Sequence, residues 1–78
     1  MSRVYRYIAL VKSSYADAAS LAKIRLILES IPDVIITAQD GTTFEFRGTQ
    51  TAFKAARTRL SPWCIVRREH FEHEEGGG

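Results

Sequence analysis

The chain has 78 residues, of which 45% are hydrophobic and 26% charged, with a net charge of +2. These values are those of an ordinary globular chain and exclude wholesale disorder; the length suits one small domain. Cys64 is the lone cysteine, which excludes an internal disulfide and a four-cysteine zinc site.

The first strand is expected from Arg3 to Lys12. Its two faces are Tyr5, Tyr7, Ala9, Val11 and Val4, Arg6, Ile8, Leu10, Lys12. Both are largely apolar, as in a central strand with material on each side. The charge-free face, that of Tyr7, is expected inward. Ser13-Ser14 breaks the strand and offers a cap for a helix from Tyr15 to Ile31. Within that helix Leu21, Ile24, Leu28 and Ile31 recur at three- and four-residue spacing, with Ile27 alongside. Leu26 points away from this stripe. Pro32 stops the helix and Asp33 begins the turn out of it.

Val34 to Ala38 is a β-branched strand, and Asp40-Gly41 predicts a type I′ hairpin turn. The returning strand alternates Phe44 and Phe46 with Thr43, Glu45 and Arg47. Burying Glu45 and Arg47 would be costly, so the phenylalanines are expected beneath the helices. A second helix runs from Thr49, a candidate N-cap, to Leu60, with Ala52, Phe53, Ala56 and Leu60 inward. Its outer arc carries Lys54, Arg57 and Arg59 and no acid. Ser61-Pro62 ends it, and a last strand starts at Trp63.

The order β-α-β-β-α-β predicts an α+β class chain: a ferredoxin-like split βαβ sandwich, with a four-stranded antiparallel sheet and two helices on one face. The domain is expected over residues 1–70, with 71–78 as an acidic, glycine-rich flexible tail. The apolar stretch Tyr7 to Val11 is too short for a signal peptide, and nothing approaches the roughly 20 apolar residues of a membrane span. A cytoplasmic location is expected.

Charge is segregated. Residues 1–68 hold all eleven Lys and Arg against five acids, a balance of +6. Residues 69–78 hold four Glu and no Lys or Arg, a balance of −4. A basic body attracts anionic partners, and an acidic tail competes for the same surface.

Catalytic chemistry has little support. Ser13 and Ser14 have no histidine near them, and Cys64 sits in an apolar strand, where a thiol behaves as a small hydrophobe. His70 and His73 have helical spacing for a metal, but too few fixed partners for a cage. No glycine-rich phosphate loop is present. Neither a catalytic residue, a metal site nor a cofactor is therefore assigned.

Two functions follow from this reading. The first is a small non-enzymatic protein–protein interaction module: an adaptor, regulator, inhibitor or accessory subunit. It would dock or self-associate as a dimer through the open sheet face, using Ile8, Leu10, Ile35 and Val66, with Leu26 exposed on the first helix. Ile65 and Trp63 compete with Val66 for the place on the last strand. The second is an electrostatic nucleic-acid binder with Tyr5, Tyr7, Arg47, Lys54, Arg57, Arg59, Arg67 and Arg68, masked by the tail. RNA-binding domains of the RRM type share the element order and stack bases on sheet aromatics. Phe44-Glu45-Phe46 has the aromatic spacing, but Glu45 stands where a small or basic spacer belongs. The face of β1 left open separates the two functions.

Overall fold

A computed structural model describes residues 4–69. Strand β1 (Tyr5–Val11) leads through a single 3₁₀ turn (Ser13–Tyr15) into helix α1 (Ala18–Ser30). Strands β2 (Ile35–Asp40) and β3 (Thr43–Gly48) form a hairpin, followed by helix α2 (Gln50–Leu60) and strand β4 (Cys64–Arg68). The sheet is antiparallel with order β2-β3-β1-β4. This is the ferredoxin-like sandwich expected from the element order. The tail assigned to 71–78, together with His70, lies outside the described residues.

The core lies between the sheet and the helices. Tyr7, Ala9 and Val11 of β1, Phe44 and Phe46 of β3, and Cys64 and Val66 of β4 meet Ile24, Leu28 and Ile31 from α1 and Ala52, Ala56 and Leu60 from α2. Among the described residues no polar or charged residue is buried there. The Tyr7 ring stacks on Phe53 with centroids 4.5 Å apart and planes at 8°, and it meets Phe46 at 5.6 Å. Rings of this size dominate a small core, at roughly 1.5–3 kcal/mol each when fully buried.

Three local features differ from the sequence expectation. Helix α1 starts later than Tyr15, and its N-cap is Asp17 rather than Ser13 or Ser14. The Ser20 backbone N–H donates to Asp17 Oδ2 at 3.0 Å, and Ser20 Oγ to Oδ1 at 2.8 Å. An aspartate with two such donors outcompetes a serine bound up in a 3₁₀ turn. These bonds hold the Asp17 carboxyl below its ordinary range, because they favour the ionised form.

The hairpin turn is also displaced by one residue. Asp40 still pairs with Thr43, so Gly41 and Thr42 occupy the two central positions. Gly41 has φ +60, and Thr42 is not in the positive-φ region. That combination suits a type II′ turn, which needs glycine first, rather than the type I′ turn that Asp-Gly suggested.

Finally, the last strand begins at Cys64, because Trp63 N–H still bonds the Leu60 carbonyl at 2.9 Å. The expected Thr49 cap is present: its side chain accepts from Ala52 N–H at 3.1 Å.

The α1–β2 turn is anchored from a distance. Asp33 takes φ 69, and its carbonyl lies against Gly48 at the end of β3. A Cβ at Gly48 would sit 2.9 Å from that carbonyl oxygen and 3.2 Å from the Ala52 Cβ. Glycine is needed at 48 because two backbones approach there.

Candidate functional site: the open face of the sheet

Residues directly opposite on antiparallel strands share a face, so the register gives the composition of the surface away from the helices. One row across the sheet runs Ile35, Arg47, Arg6, and Glu69, whose N–H donates to the Arg6 carbonyl at 3.0 Å. The next runs Ala38, Glu45, Ile8, Arg67. The third runs Asp40, Thr43, Leu10, Ile65. Ile8, Leu10 and Ile65 are therefore contiguous across β1 and β4. Ile8 and Leu10 are half-buried, and Ile65 is 57% exposed.

Charges of both signs surround this apolar strip. Arg6, Arg47 and Arg67 are balanced by Asp40, Glu45 and Glu69. Beside it a depression of about 220 Å³ is lined by Arg6, Thr37, Ala38, Glu45, Arg47 and Glu69 among others. Glu69 Oε1 is buried in this region and accepts no hydrogen bond from a described residue.

The structure separates the residues that sequence reasoning had grouped. Ile8 and Leu10 lie on the open face as proposed. Ile35 is on the same face, 66% exposed, but stands at a corner behind Arg47 and Glu45. Val66 does not belong to the surface: it pairs with Ala9, points to the helices and is 7% exposed. Ile65, opposite Leu10, takes its place, because starting β4 at Cys64 fixes which parity faces out. Leu26 is exposed but projects from α1, in the helix layer on the other side of the sheet.

The nucleic-acid set is divided more severely. Tyr7 is 1% exposed, so it offers no ring for stacking, and Phe44 and Phe46 are fully buried. Burial raises the Tyr7 pKa, partly offset by Arg68. Tyr5 shares the inner parity and is half-buried, with the Arg68 guanidinium 4.0 Å above its ring. Arg47 and Arg67 lie on the open face, whereas Lys54, Arg57 and Arg59 are exposed on α2. An aromatic platform ringed by these cations does not form.

Cys64 is buried, and burial pushes its thiol up to about 11, against a smaller opposing pull from Lys12. Almost none of it is thiolate at neutral pH. Among the described residues no three His, Cys, Asp or Glu side chains come together as a metal site. No helix among them is long and apolar enough to cross a membrane.

The alternation of β3 had already placed Glu45 on the side away from the helices, without assigning it to the site. Sequence reasoning missed Glu69, whose place beside Arg6 shows only through cross-strand register. Comparison with family models, curated proteins and solved structures finds no match.

Proposed function

We propose that this chain is a small non-enzymatic protein–protein interaction module that docks through the open sheet face, with a second copy of itself as the first partner to test. The observation behind this reading is the Ile8–Leu10–Ile65 strip set among an even balance of cations and anions. A surface of mixed charge can be self-complementary under two-fold rotation when the axis sets an arginine of one protomer against a carboxylate of the other. The apolar strip then supplies burial at the centre, as in the anatomy of protein interfaces. A cytoplasmic adaptor, regulator, inhibitor or accessory subunit fits these properties, and the single buried thiol suits a reducing compartment.

Sedimentation equilibrium from micromolar to millimolar protein tests the dimer. The expected result is a concentration-dependent rise toward twice the 8.8 kDa monomer mass, abolished by Ile65→Glu. A wild-type monomer at all concentrations would remove self-association.

A nucleic-acid reading keeps one supporting feature, the Lys54–Arg57–Arg59 arc of α2, which carries no acid. It requires binding that collapses steeply with salt. An electrophoretic assay at low salt with no shift, for the full chain and for one lacking 70–78, would end it.

A further inference from the structure

The two edges of the sheet are protected to different degrees. At β2 a bulge between Ile36 and Ala38 interrupts the ladder, and Arg25 of α1 reaches across to Gln39 Oε1 at 3.0 Å. Bulges and covering side chains are the usual means of blocking an edge. At β4 the pairing with β1 is regular from Cys64 to Arg68. Among the described residues no strand lies beyond β4.

Among the described residues, one set of β4 backbone groups is left unpaired. Glu69 N–H bonds the Arg6 carbonyl at 3.0 Å, and Lys12 N–H bonds the Trp63 carbonyl at 2.8 Å. Bonded positions alternate along an antiparallel strand. Ile65 and Arg67 therefore aim their N–H and C=O groups at β1, while Cys64, Val66 and Arg68 aim theirs outward. Alongside runs a groove of about 380 Å³ lined by Phe53, Arg57, Cys64, Ile65, Val66, Arg67 and Arg68, among others, and, among the described residues, by no acid. None of the three arginines is ion-paired with a described carboxylate, although the Arg68 guanidinium lies 4.0 Å from the centre of the Tyr5 ring.

We propose that the outer edge of β4 and the Arg57 side of α2 form a strand-addition site for an extended acidic segment of a partner protein. The surface adjoins the open face, sharing Ile65 and Arg67 with it, and does not depend on the function proposed for that face. Strand addition takes its affinity from backbone pairing and its selectivity from side chains at alternate positions. Arg57 and Arg68 lie on the helix side of the incoming strand and Arg67 on the open side. Carboxylates on the helix-side positions would meet two guanidinium groups. The same arginines disfavour pairing β4 with β4 of a second copy, since that brings like charges together.

The test uses the full chain and a capped peptide of alternating valine and glutamate, followed by amide hydrogen exchange and NMR titration. The peptide should slow exchange at Cys64, Val66 and Arg68, by roughly tenfold when present at ten times its dissociation constant. Ile65 and Arg67 should change little. The double variant Arg57→Glu/Arg68→Glu, at exposed positions, should weaken binding by about tenfold or more. A lysine-for-glutamate version of the peptide should not bind.

Four results would overturn the proposal. One is no binding at millimolar peptide, and another is binding without slowed exchange at the three outward amides. The third is tighter occupancy of the same groove by a uridine oligonucleotide. The last is exchange at those amides that is already slow in the free monomer, because the edge would then be covered by the chain itself.

Discussion

The two faces of this sheet are built from the same strands, residue by residue in alternation, and they follow different rules. On the covered face every strand contributes apolar side chains, and Phe44, Phe46 and Ala9 have no exposure at all. On the open face the neighbours of those residues are Thr43, Glu45, Arg47 and Ile8. Stability is concentrated on the first face, because apolar area removed from water and close packing act there together. On the function proposed above, specificity belongs to the second, where charges stay hydrated until a partner arrives. A substitution should therefore change either folding or association, according to its parity.

The largest expected effect is on the covered face. Phe46→Ala removes a buried ring and should cost about 3–5 kcal/mol in urea unfolding, enough to unfold much of a domain this small. Arg47→Ala, one residue along, should move the same midpoint by less than about 0.5 kcal/mol. Comparable losses for the two would break the contrast. Gly48→Ala comes next, at about 1–3 kcal/mol, because its methyl group must displace the Asp33 carbonyl. Thermal unfolding followed by circular dichroism would measure it.

Thr49→Ala removes the α2 cap and should cost about 1 kcal/mol. On the open face, Ile65→Glu should leave unfolding within about 0.5 kcal/mol of the parent at concentrations where both are monomeric, while removing self-association in sedimentation. A folded but still dimeric variant would place the interface elsewhere. The smallest effect concerns pH. Because the folded-state pKa of Asp17 is depressed, the stability it contributes is present above the ordinary carboxylate range and is lost as pH falls through the lowered value. Asp17→Asn should flatten that acid limb in pH-dependent urea unfolding by lowering the plateau above it, with stability at the acid end little changed.

Much of the fold was legible in the residues themselves. The helical stripe Leu21–Ile24–Leu28–Ile31 and the alternation around Phe44 and Phe46 each state which side is inward, because the apolar period matches the element. Tyr7 was oriented by a weaker cue, the absence of charge on its face of β1. The candidate site was legible only in part. Val66 and Ile65 are adjacent and both aliphatic, so no property of the pair says which is buried. Leu26 is apolar and exposed, yet its helix stands on the opposite side of the sheet. Lys54, Arg57 and Arg59 are near Arg67 and Arg68 in sequence, but the fold divides these cations among α2, the edge of β4 and the open face.

The sequence by itself determined the order of elements, the class of fold and the identity of most core positions. It did so because burial periodicity and turn chemistry are local properties, read within a few residues. The tertiary structure alone decided the register of β4 on β1, and with it the apolar strip, the balance of charge around it and the edge beside α2 that no described strand covers. Those depend on pairings between residues more than fifty positions apart, such as Leu10 with Ile65, which no local pattern encodes.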